Sequence, residues 1–246
     1  MLSLLQTEFM KLKRKLVILI ALLSSVLPPF INVLYTFNLP ENSNINNSFT
    51  AFYQSSFIFT EWMLLPCLLG AVGSILFFSE KENDTLKELM MIPLNKPMFL
   101  LSKFIMLVIF SILFMILTAL FTVIGALVFD YSDITTSLVF RLFKISVETG
   151  ILTAFSMQPL IFIVIASKKD YILPTCSTLI YSISGMIFSS QLAGIHPLAS
   201  IYGIVWSRSL KSISVNTSLE IYILNIAVIF ATSFAASAFL LRKQSY

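Results

Sequence analysis

The residues in this sequence that carry reactive chemistry are few and far apart. One histidine, His196, stands before Pro197, and two cysteines, Cys67 and Cys176, fall inside apolar runs. One His and two distant Cys cannot furnish the three or four ligands of a zinc site, so no metal site is expected. A lone His before Pro reads as a loop residue, and the cysteines read as small buried hydrophobes. No H-E-x-x-H, G-x-S-x-G or Gly-x-Gly-Asp motif is present, which leaves an intramembrane protease or lipid transferase without its catalytic groups. There is also no G-x-x-x-x-G-K-[ST] loop, so the chain lacks the means to hydrolyse a nucleotide itself. No catalytic residue is assigned.

Two acids stand out by position. Glu61 and Glu148 fall near the expected outer ends of apolar runs, where a charge held in hydrocarbon costs on the order of 3 kcal/mol. Each must face a cavity, a partner or water. They are candidate cavity contacts for a cationic or amphipathic substrate, and equally candidate interfacial residues reaching lipid headgroups. Arg141 and Lys144 lie within one or two helical turns of Glu148 and can pair with it.

The densest charge lies between Glu80 and Pro97, a polar island amid apolar sequence. Leu86, Leu89 and Met90 recur at helical spacing, Glu82 opens the first turn and Pro93 stops it, which predicts a short amphipathic helix over this segment.

The elements that must hold these residues follow from solvent preference. Of 246 residues 57% are hydrophobic and 11% charged, and the mean hydropathy is +0.91. A water-soluble fold of this size cannot hide so much apolar surface, whereas a bilayer accepts it. The runs are continuous and rich in Leu, Ile and Phe, which favours helices over the alternating strands of a membrane barrel. The expected class is an all-α integral membrane protein of about six spans. They run near Leu16–Tyr35, Phe57–Phe78, Met98–Phe129, a fourth ending at Ala166, Tyr171–Ser190 and Leu219–Leu241.

Residues 1–15 mix Leu2, Leu5, Phe9 and Leu12 with Glu8, Lys11, Lys13, Arg14 and Lys15, the pattern of an amphipathic elbow lying in the interface rather than a cleaved signal. Residues 191–218, less apolar and containing Trp206 and Tyr202, suggest short interfacial helices on the extracellular side. Phe140, Phe143 and Val147 mark a second amphipathic stretch. The whole chain, 1–246, reads as one transmembrane domain.

Positive charge sets orientation. Lys11, Lys13, Arg14, Lys15, Lys81, Lys87, Lys96, Lys103, Lys168, Lys169, Arg242 and Lys243 fall on one side if six helices alternate, leaving Arg141, Lys144, Arg208 and Lys211 on the other. The positive-inside rule then puts both termini in the cytoplasm. No clustered basic face exists for nucleic acid.

The island resembles the cytoplasmic segment of the type 2 ABC permease family: an acid, a Thr-Leu turn, a Leu-rich helix, Pro and a basic residue before the third span. Glu80, Thr85, Leu86, Leu89, Pro93 and Lys103 match, with Asp84 in place of the commoner Gly. Glu8-Phe9-Met10-Lys11-Leu12-Lys13-Arg14 is similar to the family's amphipathic opening. The resemblance implies that residues 80–97 form a coupling helix whose Glu80, Glu82, Thr85, Leu86, Glu88, Leu89, Met90 and Pro93 contact a separate cytoplasmic ATPase. That subunit would bind the ATP and magnesium. The resemblance further implies a second permease, a copy of this chain or a relative, in a bacterial cytoplasmic membrane. In size and low charge the chain is most similar to permeases of bacterial peptide exporters, for amphipathic or antimicrobial peptides. The rival expectation is a secondary transporter or another polytopic membrane protein without an ATPase.

Overall fold

In a computed structural model, all residues are described except 1, 14, 41–42, 44, 46–47, 83–95, 130, 132, 168–171, 190, 193, 210–217 and 244–246. All regular structure among them is helical. In chain order the helices are α1 (Leu2–Lys13), α2 (Leu16–Leu23), a 3-10 turn (Ser24–Val26), α3 (Leu27–Phe37), α4 (Phe49–Phe59), a π-helical turn (Thr60–Leu64) and α5 (Leu65–Glu82). After residues 83–95 follow α6 (Lys96–Leu127), α7 (Thr136–Ser156), α8 (Gln158–Ala166), α9 (Ile172–Ile187), α10 (Pro197–Ser209) and α11 (Leu219–Lys243).

Among the described residues five helical stretches are long and apolar enough to cross a membrane: Leu16–Phe37, Phe49–Phe78, Pro97–Leu127, Thr136–Ala166 and Leu219–Lys243. The chain is a multi-pass membrane protein. The remaining expected crossing, α9, has 16 residues, a rise of about 24 Å against a core of roughly 30 Å.

The crossing expected from Phe57 begins instead at Phe49. Tyr53, Gln54, Ser55 and Ser56 look too polar for hydrocarbon, but neighbours meet part of their needs. Ser55 donates to Asn32 Oδ1 at 2.7 Å, and Asn32 Nδ2 donates to the Phe52 carbonyl at 2.9 Å. The amphipathic stretch before the fourth span likewise belongs to the long helix α7, whose buried side holds Leu142, Ile145, Ser146 and Thr149 while Phe140 lies exposed.

Several hydroxyls in the apolar interior bond back along their own helices, as Thr118 does to Phe114, Thr122 to Thr118 and Thr153 to Thr149. Each satisfies its donor without a partner helix. α6 and α7 approach closely because Gly150 has no side chain. A Cβ there would meet the Ser111 carbonyl and Ile112 backbone at 3.1–3.2 Å, and Ser111 Oγ donates to the Gly150 carbonyl at 2.7 Å.

Two ends of the bundle can be followed. At one, α1 packs on the start of α6. At the far end, Phe37, Phe52, Phe129 and Tyr131 cluster with their rings tilted against one another, and the Asp133 carboxylate accepts the Phe49 N–H at 3.1 Å, capping α4. Tyr131, donating to the Ile45 carbonyl, is pushed up to about 12 by burial and by the Asp133 charge.

α10 is short, as expected for residues 191–218, but it is buried among neighbours. Leu198, Ile201 and Trp206 are almost wholly covered. It runs antiparallel to the start of α11, with Ser200 against Asn225 and Gly203 against the Tyr222 ring. Trp206, expected as an interfacial aromatic, is thus a core residue, because its indole N–H has a buried carboxylate to reach.

Candidate functional site

Pro66 determines the local structure that presents Glu61. A proline has no N–H for the carbonyl four residues earlier, and its ring crowds that carbonyl. Here the chain responds by widening into the π turn over Thr60–Leu64, where the Leu65 N–H reaches back to the Thr60 carbonyl. The Trp62 carbonyl, lacking its helical donor, is taken by the Ser182 hydroxyl of α9.

Within that turn the Glu61 side chain is buried, with 2% of the residue exposed. Trp206 Nε1 donates to Glu61 Oε2 at 2.9 Å, while Glu61 Oε1 is buried with no hydrogen-bond partner among the described residues. Aromatic rings line this region in a continuous row. Tyr53 stacks on Trp206 at 6.4 Å, Trp206 lies 6.4 Å from Tyr202, and Tyr202 lies 5.6 Å from Trp62. The acid expected near a membrane surface therefore sits at the meeting of the π turn and α10.

Glu148 differs. Its side chain is about a third exposed and meets Lys144 at 3.9 Å, an i,i+4 pair on α7. Such pairs add only about 0.3–0.5 kcal/mol. Among the described residues Glu61 and Glu148 have different partners, Trp206 for the first and Lys144 for the second.

The root of the charged island holds a second buried charge. Lys103, on α6, is wholly buried. Its Nζ donates to Glu8 Oε2 at 3.2 Å and to the Leu76 carbonyl of α5 at 2.8 Å, and lies 5.3 and 4.8 Å from the ring centres of Phe77 and Phe99. Glu8 also accepts from Lys11 at 3.3 Å. One ammonium thus ties together α1, the end of α5 and the start of α6, the two helices between which residues 83–95 run. Its role was visible only as a motif position in the sequence, and Glu8 only as part of an amphipathic opening.

Of the residues expected to contact an ATPase, Glu80 and Glu82 fall in the last turn of α5. Thr85, Leu86, Glu88, Leu89, Met90 and Pro93 lie outside the described residues.

Elsewhere, His196 packs against Tyr181 with ring centres 4.5 Å apart, and its Nδ1 accepts the Leu198 N–H at 3.3 Å. Burial pushes the imidazole below its ordinary value. Among the described residues no group of three or more His, Cys, Asp or Glu is placed to hold a metal ion. A groove of about 240 Å³ opens between α1, α2 and α6, lined by Phe9, Leu12, Ile18, Met106 and Phe110 with Lys15 beside them.

Comparison with known proteins bears on these features. The sequence profile described as ABC-2 family transporter protein matches residues 4–185. The bacitracin transport permease protein BCRB of Bacillus licheniformis is 26% identical over 136 residues, which cover 55% of this chain and 65% of that protein. The match thus spans less than two thirds of the relative's length.

Proposed function

Since the chain belongs to the ABC-2 transporter family, we propose that it is the membrane subunit of an ATP-driven exporter that moves cationic amphipathic peptides out of a bacterial cell. The observation that carries this reading is the family match over most of the chain, which includes the island and both helices that flank it. The relative's name links it to bacitracin, a peptide antibiotic, and supports a peptide cargo for secretion or for self-protection.

In this reading the chain makes six crossings, with α9 as the fifth, and both termini are cytoplasmic. Residues 1–15 form the elbow and 80–97 the coupling helix, with Leu86, Leu89 and Met90 as apolar anchors and Glu80, Glu82 and Glu88 setting partner choice. Thr85 and Pro93 frame that helix. A separate ATPase binds ATP and magnesium, and a second permease completes the transporter.

Closure of the ATPases does work only by favouring one permease conformation over another. Force applied at residues 80–97 must therefore pass into the span bundle without being lost in a loose loop. Lys103 supports such transmission: it fastens α5, α6 and α1 at the base of the segment. Moving the segment then moves all three helices. Glu61, inside the bundle, is the cavity-side acid of this reading; Glu148, about a third exposed and paired with Lys144, is its second candidate contact for the cargo.

Inside-out membrane vesicles carrying the chain and its native partners should accumulate a fluorescent cationic amphipathic peptide when ATP is added, and a Lys103→Met chain should do so several-fold more slowly. Accumulation driven equally well by a proton gradient without ATP would replace this reading with a secondary transporter.

A further inference from the structure

A buried carboxylate normally recruits partners for both oxygens, and Glu61 has recruited one. Oε2 accepts from Trp206; Oε1 is enclosed with no donor among the described residues. None of the ion pairs among described residues involves Glu61. Its partner Trp206 belongs to a row of electron-rich rings, with Tyr53 on one side and Tyr202 and then Trp62 on the other. Ring faces and an unshared carboxylate oxygen are together the chemistry that receives an organic cation, the rings through their quadrupoles and the acid through its charge.

The surrounding structure is arranged to change shape. The π turn is a wide, irregular segment of an otherwise regular helix, the kind of feature that is concentrated at functional sites. Its Trp62 carbonyl is held by Ser182 of α9, and its Glu61 by Trp206 of α10. Separation of α9 and α10 from the π turn would open both bonds at once and expose the acid with its rings.

We propose that Glu61, Tyr53, Trp62, Tyr202 and Trp206 form an occluded binding site for a single organic ammonium group. This inference rests on the export reading only for the source of that group, the side-chain amine of a cationic cargo. Trp206 holds the carboxyl through Oε2; an arriving ammonium takes Oε1 and the ring faces.

The sequence supplies its own reporter, because Trp62 and Trp206 are its only two tryptophans. The purified chain in lipid nanodiscs is titrated with tetramethylammonium chloride while tryptophan emission is recorded. The uncharged isostere 3,3-dimethylbutan-1-ol and sodium chloride at matched ionic strength serve as comparisons. A saturable change is expected with tetramethylammonium alone. Glu61→Gln, which keeps an oxygen for Trp206, should weaken the apparent affinity at least tenfold, and Tyr202→Leu should weaken it several-fold. An equal response to the neutral isostere in the unaltered chain overturns the proposal whether or not either variant folds. So does an equal saturable response to sodium chloride, which would mark an inorganic cation site. Unchanged affinity in a folded Glu61→Gln chain does the same. The titration uses no ATPase, so its failure leaves the export reading to be judged by transport.

Discussion

Among the described residues two acids lie buried in this bundle, and they are treated in opposite ways. Glu8 is shared between Lys103 and Lys11, and Lys103 in turn has a carbonyl and two aromatic faces, so the charges of that cluster are matched within the protein. Among the described residues Glu61 has a single indole N–H and an oxygen without a donor. Desolvating a charge is expensive in either place. The first arrangement repays the cost internally and serves as a fixed joint. The second leaves it partly unpaid, which suits a position that exchanges partners.

The contrast is broken most strongly at Lys103. Lys103→Met takes the ammonium away from Glu8 Oε2 and from the Leu76 carbonyl, and the loss expected from removing one partner of a buried pair is about 3–5 kcal/mol. Unfolding in dodecyl maltoside should show it, and adding Glu8→Gln should recover part of the loss. Full stability in the single variant would mean that the joint holds nothing.

At the other acid, Trp206→Phe removes the one donor and should cost about 1–3 kcal/mol. Glu61→Gln, which removes the unmatched charge and keeps an acceptor, should cost nothing or raise the midpoint. A fall as large as that for Lys103→Met would erase the distinction between the two sites. Ser182→Ala frees the Trp62 carbonyl beside Pro66 and should cost about 1 kcal/mol, since bonds between membrane helices are individually modest.

The smallest effect is expected at His196, outside the crossing helices. Burial lowers its folded value below the ordinary 6.5, so the unfolded chain takes up the proton first. The imidazole's contribution is complete above pH 6.5 and is lost as pH falls through the folded value. The unfolding midpoint should therefore drop slightly more between pH 7 and pH 5 than in a His196→Asn chain.

Much of this architecture is legible in the sequence. Continuous Leu, Ile and Phe runs announce the crossing helices, and the charge of Glu80–Pro97 marks the largest polar interruption. What escapes is context. Tyr53, Gln54, Ser55 and Ser56 fall before the apolar run that starts at Phe57, and they join its helix where Asn32 of another helix bonds Ser55. Glu61 looks interfacial because hydropathy does not report that α10 folds back to bury Trp206 against it. Pro66 was the available signal: a proline four residues after Trp62, inside an apolar run, forces a carbonyl free and bends or widens the helix. Lys103 matched a motif, but its partner Glu8 lies 95 residues earlier, a separation that no local pattern reveals.

The central claim is that a separate ATPase drives this chain through residues 80–97. Its most direct test is mild detergent extraction from the native host, with identification of what copurifies with the unaltered chain and with a Leu86→Asp, Leu89→Asp chain that keeps its helical circular dichroism. The account expects an ATPase bearing a P-loop with the first and its loss from the second. Equal recovery of that ATPase with both chains, or none with either, would contradict it.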